Sequence, residues 1–269
     1  FKQKTAYEIR LSLVGSEMCI RDSVWIALLA LTTPLLASDL GKEERWREQV
    51  EDSIMDGESV DLLVEGRNVF AIYTEAEEGS DKGLIVVHGT GIHPNWQQVV
   101  QPIRVEMAGY GWNTLALQMP ILHNEAEYEE YVALYPEVPP RLRAAEAFLK
   151  EKGIQTIVIA AHSQGATMAS YYLSRHASSV KGLIAIGMGA TQKDSHVNSA
   201  ESLKKITIPV LDLYGDDDLP GVLETAEARK AGAAHNTRYS QQVIEGANHF
   251  FDGVDDELIN AVVDWVQQF

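Results

Sequence analysis

The stretch Ile157-Val158-Ile159-Ala160-Ala161-His162-Ser163-Gln164-Gly165 constrains this chain more than any other. It begins apolar and β-branched, turns small and polar, and gives way to a segment rich in Ala, Met and Tyr. A buried strand that passes through a sharp turn into a helix has that pattern. Ala161 and Gly165 flank Ser163 at i−2 and i+2, where such a turn presses backbone against backbone and large side chains clash. The helix beginning after Ser163 aims free N–H groups and its positive dipole end at charge developing beside the hydroxyl. This is the layout of a nucleophile elbow.

The rest of the chain supplies a sheet in which such a turn can sit. Gly41 to Asp52 reads as an exposed charged helix. Asp56 to Val64 and Val69 to Tyr73 alternate around Glu65-Gly66-Arg67-Asn68, which predicts an antiparallel hairpin. Leu84 to Val87 is a continuous apolar run, as in a central strand covered on both faces. Helix and strand signals then alternate: a helix over Gln97–Ala108 that Pro102 breaks or restarts, a strand over Thr114–Gln118, and a helix over Pro139–Lys152. Ile154–Ala160 leads into the elbow, and further strands come at Lys181–Met188, Pro209–Tyr214 and Ser240–Ile244. Asp255 to Gln268 is an amphipathic helix. This order predicts an α/β domain with a doubly wound, mostly parallel sheet and helices on both faces. Two irregular stretches, 123–140 with Tyr128, Tyr131 and Tyr135 and the polar 191–205, border the expected site. Neither is long enough to fold as a large cap domain.

A serine hydroxyl is a poor nucleophile until a base takes its proton, and the base needs an anion to fix its tautomer. Both partners are present beyond later strands. Tyr214-Gly215-Asp216-Asp217-Asp218-Leu219-Pro220 reads as a tight acidic turn, and Glu245-Gly246-Ala247-Asn248-His249 comes after the last strand. Ser163, Asp218 and His249 therefore fall in the order Ser…Asp…His, each just past the carboxyl end of a strand. Asp216 and Asp217 compete with Asp218 for the acid position.

From about Gly83 to Phe269 the chain resembles the α/β-hydrolase superfamily. The resemblance is carried by Leu-Ile-Val-Val-His-Gly-Thr-Gly at 84–91, Ala-His-Ser-Gln-Gly-Ala at 161–166, Leu-Tyr-Gly-Asp-Asp-Asp at 213–218 and Gly-Ala-Asn-His-Phe-Phe at 246–251. More narrowly, His88 to Trp96 with Gly111 to Pro120 is similar to an uncharacterised family of exported bacterial proteins. The resemblance implies Ser163 as nucleophile, His249 as general base and acid, and Asp218 as its partner. It also implies an oxyanion hole from the backbone N–H of Gln164 and of Thr90. Gly89 and Gly91 would give that loop its positive φ angles and close approach, and His88 would brace it. Ala161 departs from the more usual Gly. Trp96, Trp112, Met119, Ile121 and Leu122 are candidates for an acyl pocket, with core packing the better reading of Trp112 and Met119. His93, His123 and His162 lack metal-ligand spacing, so neither metal nor cofactor is expected.

The ends and the charge bound the setting. Phe1 to Ser23 starts without Met, does not join logically to the apolar run after it, and looks like translated adapter read-through, so it is no part of the expected fold. Val24 to Ala37 reads as the h-region and cleavage zone of a secretory signal peptide, which leaves 38–269 as the domain and a periplasmic or secreted destination. The single cysteine, Cys19, lies upstream of that cut. A net charge of −17 disfavours nucleic acid and anionic lipid as partners. The expected activity is hydrolysis of a small-molecule ester or thioester through an acyl-enzyme. The alternatives are acyl transfer or peptide cleavage by the same residues, and a non-catalytic envelope protein that uses the fold for binding.

Overall fold

The computed structural model describes residues 38–191, 193–195 and 197–269. The segments 1–23 and 24–37, read as adapter read-through and leader, lie outside the described residues. Among the described residues no helix is long and apolar enough to cross a membrane.

Eight strands form one sheet in the order β1-β2-β4-β3-β5-β6-β7-β8. β1 (Glu58–Val64) and β2 (Arg67–Thr74) are the expected hairpin, and β2 runs antiparallel to both β1 and β4 (Asn113–Leu117). β3 (Lys82–Val87), β5 (Thr156–His162), β6 (Gly182–Ile186), β7 (Val210–Asp217) and β8 (Tyr239–Asn248) continue the sheet in parallel from β4. The sheet is therefore mostly parallel and doubly wound, as the alternation of apolar runs predicts.

The continuous apolar strands make sense once both faces are followed. In β3, Ile85 and Val87 join one core layer while Leu84 and Val86 join the other. In β5, Ile157, Ile159 and Ala161 fall in the first layer and Val158 and Ala160 in the second. The first layer is closed by α3 (Val138–Glu151), through Leu142, Ala145 and Leu149, and by α4 (Gln164–Arg175), through Ala166 and Ala169. The second is closed by α2 (Val100–Gly109), through Val100, Ile103 and Met107, and by α8 (Asp255–Val266), through Leu258 and Val262. With helices on both sides, neither strand face has reason to be polar.

Several boundaries differ from the sequence-based expectation. Pro102 does not break α2; it sits in the first turn, where an N–H has no helical acceptor. The stretch 128–137 is a tight 3₁₀ segment (Tyr128–Glu137) leading directly into α3, and 191–205 contains the short α5 (Ser199–Leu203). Two short helices were not expected, α6 (Pro220–Leu223) and α7 (Ala226–Gly232). β7 and β8 also run further than predicted, so Asp216 and Asp217 lie at the end of a paired strand with a register shift rather than in a tight turn. Gly215 permits this, because a Cβ there would overlap the Ala247 carbonyl of β8.

Asp212 points from β7 into a helix layer, where its carboxylate accepts from Arg229 Nε of α7 at 2.8 Å and from Tyr239 Oη at 2.6 Å. Asp212 and Arg229 are fully buried. Removing one member leaves an uncompensated buried charge, so Asp212→Ala is expected to cost about 3–5 kcal/mol in urea denaturation. A cost near zero would show that α7 is not held by this pair.

Candidate active site

Ser163 joins β5 to α4 with φ 56° and ψ −125°, a conformation that a non-glycine residue adopts at a cost of about 1–3 kcal/mol. The surroundings enforce it. Gly165, one residue into α4, lies so close to the end of β3 that a Cβ would overlap the His88 carbonyl oxygen. Gly89 packs on the other partner of the turn: a Cβ there would sit 3.0 Å from Ser163 Cβ. Gly91 has φ +70°, whereas Gly89 serves close approach alone. Gly165 is thus demanded by backbone contact, and the absence of a Cβ at Gly89 keeps a tight contact with the serine from relaxing the turn.

His249, just beyond β8, and Asp218, just beyond β7, meet this serine. His249 Nε2 lies 2.9 Å from Ser163 Oγ, and His249 Nδ1 lies 2.5 Å from Asp218 Oδ1. Asp218 Oδ1 also accepts from the Leu219 N–H at 2.7 Å, which fixes the carboxylate. Asp218 is buried, whereas Asp216 and Asp217 are exposed and Asp216 caps the Gly246 N–H at 2.7 Å. Of the three acids, the geometry brings Asp218 to the histidine. Gly187, at the end of β6, makes room for the pair. With φ +58° it places a hypothetical Cβ 3.0 Å from His249 Cε1 and 3.4 Å from Asp218 Oδ2. Sequence reasoning missed this glycine, although its position directly after the β6 apolar run was a signal.

Gln164 is the first residue of α4, so its N–H has no carbonyl one turn back within the helix. Its side chain is tethered: Nε2 donates to Tyr135 Oη at 2.8 Å. Tyr135 is buried, and burial raises its hydroxyl pKa well above 10.0. Tyr131, from the same 3₁₀ segment, accepts from the Leu122 N–H at 3.3 Å and lies against Gly91. Thr90 is half-buried in the turn after β3. His88 braces that turn, its Nδ1 2.8 Å from Gly89 O and its Nε2 accepting from the Met119 N–H at 2.9 Å.

The candidate pocket residues go elsewhere. Trp112, just before β4, and Met119, Ile121 and Leu122, just after it, are all buried in the core, the reading preferred for Trp112 and Met119. Trp96 lines, with Trp46 and His93, a cleft that Ser163 does not border. The space at Ser163 is a cleft of about 150 Å³, lined by Tyr128, Thr191, Leu219, Val222 and His249 with Gly187, Gly189 and Gly221. Each of the two irregular stretches thus contributes a wall residue. The three histidines considered for a metal diverge: His93 packs between Trp46 and Trp96, His123 is exposed beside Glu125, and His162 lies under His249. Among the described residues no group of three His, Cys, Asp or Glu side chains could hold a metal ion.

The buried imidazoles are electrically quiet. Burial lowers His88 from 6.5 to about 3 and His162 from 6.5 to about 4, so both stay neutral while His162 Nε2 holds the His249 carbonyl at 2.9 Å. The unfolded chain takes up these protons below its ordinary 6.5, so the folded state loses stability as pH falls from there toward about 4 for His162 and about 3 for His88. Ring-proton NMR should show no titration of His88 or His162 between about pH 8 and pH 5. Midpoints at the ordinary 6.5 would contradict this packing.

The comparisons agree with the architecture. Est1E from Butyrivibrio proteoclasticus superposes with a TM-score of 0.62 at 16% identity, covering 79% of this chain and 98% of that one. The esterase Pf2001 of Pyrococcus furiosus gives 0.65 at 17% identity, covering 82% and 95%. An alpha-beta serine hydrolase homologue from Coxiella burnetii gives 0.63 at 18% identity, covering 78% and 98%. The fold is that of the α/β hydrolases. Within it, the chain belongs to the family described as "Protein of unknown function (DUF3530)", whose model matches residues 38–140 and 124–268. No curated protein matches the sequence.

Proposed function

We propose that this chain is an exported serine hydrolase that cleaves carboxylic esters or thioesters through an acyl-enzyme. The observation that carries the reading is the continuous chain Ser163 Oγ–His249–Asp218, at 2.9 and 2.5 Å, on a strained elbow. In the proposed reaction His249 Nε2 takes the Ser163 proton as Oγ attacks the substrate carbonyl carbon. Asp218 holds the Nδ1–H and stabilises the imidazolium. The carbonyl oxygen becomes an oxyanion facing the backbone N–H groups of Gln164 and Thr90, and such a donor is typically worth about 3–4 kcal/mol. His249 then protonates the departing alcohol or thiol, leaving Ser163 acylated. In the second half, His249 takes a proton from water, hydroxide adds to the acyl carbon, and Ser163 leaves with the proton returned.

The small cleft, walled partly by Leu219 and Val222, favours a short acyl group. Export rests on the leader at 24–37, and the Pyrococcus furiosus esterase among the structural neighbours supports the ester reading. A series of p-nitrophenyl esters should therefore show turnover that is greatest for short acyl chains and declines with length. Ser163→Ala should lower kcat by about 10⁴-fold or more, and Asp218→Asn by about 10⁴-fold. Rates at background for every chain length in the folded protein would overturn the reading.

A further inference from the structure

Ser38 is buried, and both its backbone nitrogen and its hydroxyl converge on one carboxylate. Its N–H donates to Glu137 Oε1 at 3.0 Å and its Oγ donates to Glu137 Oε2 at 2.7 Å. Glu137 is itself buried, and Oε2 also receives Arg67 at 3.3 Å and Arg141 at 3.4 Å. Arg141 is in turn clamped by Glu43 of α1 (Leu40–Glu51), at 2.8 and 3.0 Å. A single mid-chain N–H can be satisfied by one carboxylate oxygen, as those of Leu219 and Gly246 are, whereas at Ser38 the nitrogen and the hydroxyl together take both oxygens of Glu137. This nitrogen faces an anion inside a cluster of buried charges.

The position of Ser38 matters for the same reason. It comes directly after Ala37, where the leader's cleavage zone ends, and the family match also begins at residue 38. We infer that hydrolysis of the Ala37–Ser38 bond creates an α-ammonium that docks on Glu137 and locks the segment framing the active site. This rests on the export part of the proposed function and not on the ester chemistry. In the cleavage, catalysed by a membrane-bound signal peptidase, water divides across the C–N bond. The hydroxyl goes to the Ala37 carbonyl carbon, and the nitrogen of Ser38 leaves as an amine that is protonated. The amide N–H···carboxylate bond thereby becomes an ammonium–carboxylate ion pair at the same site.

The dock reaches the active site through a short path. Glu137 ends the 3₁₀ segment that supplies Tyr128 to the cleft, Tyr131 to Gly91, and Tyr135 to Gln164. The residues just after Ser38 pin the opposite flank: the Asp39 N–H donates to Ile121 O at 2.7 Å and Lys42 Nζ to Leu122 O at 2.9 Å.

The test uses the full chain, exported and purified. Its intact mass should show Ser38 as the first residue; any other start overturns the inference. Periodate cleaves the amino alcohol of an N-terminal serine alone, and in the folded protein this should run at least about tenfold slower than in urea. Glu137→Gln should remove most of that protection. Because that variant leaves buried guanidiniums short of an anion and risks misfolding, a second one inserts an additional serine after Ala37. It keeps Glu137 but moves the new terminus off it, so its serine should react quickly and Tm should fall by about 2–4 °C. A native Ser38 that reacts as fast folded as unfolded, or an insertion that leaves Tm unchanged, contradicts the dock. None of these readouts depends on hydrolysis of an ester.

Discussion

Everything around the site depends on the close approach of two backbones, the end of β3 and the start of α4. Gly165 against the His88 carbonyl leaves no room for a side chain, and Gly89 against Ser163 is tightly packed. That contact holds Ser163 at φ 56° and lifts its hydroxyl out of the sheet edge. A strained residue persists only where its surroundings over-determine it. Here they do so with buried, neutral His88 tying the turn to Met119 and neutral His162 tying β5 to the His249 carbonyl.

The second layer of support is polar and comes from outside the sheet. The 3₁₀ segment 128–137 sets three tyrosines against the cleft, the turn after β3 and the first residue of α4. It is anchored at its far end by Glu137, to which Ser38, Arg67 and Arg141 converge. Residues 38–42 and the elbow are thus connected through one short element. Buried charge of this kind contributes little net stability when complete and is costly when broken. That suits a role in fixing one arrangement of the segment.

Much of this was legible in the sequence because the fold announces itself through burial. Leu84–Val87 and Ile157–Ala160 are apolar throughout because both faces of the sheet are covered, and Ser163, Asp218 and His249 fall where strands end. What was not legible depends on pairing and side-chain direction. The extension of β7 through Asp217 is set by its partner β8 and by Gly215 having no side chain, so an acidic run that reads as a turn is a strand end. Core packing was the better reading of Trp112 and Met119 and is what they do, but Ile121 and Leu122, candidates for the acyl pocket, also turn into the core. The cleft is lined instead by Tyr128, Leu219 and Val222, which no periodicity marks. Tyr135 was visible only as one tyrosine of an irregular stretch, and its hold on Gln164 requires the packing of α3 against α4.

The central claim is that the hydroxyl of Ser163, drawn by His249, is a nucleophile. Its most direct measurement is reaction of the folded protein with a fluorophosphonate, then mass spectrometry of the peptide that contains Ser163. The account predicts a stoichiometric adduct on Ser163 and none in folded Ser163→Ala. A folded native protein that stays unlabelled, or one labelled elsewhere and equally in the variant, contradicts it.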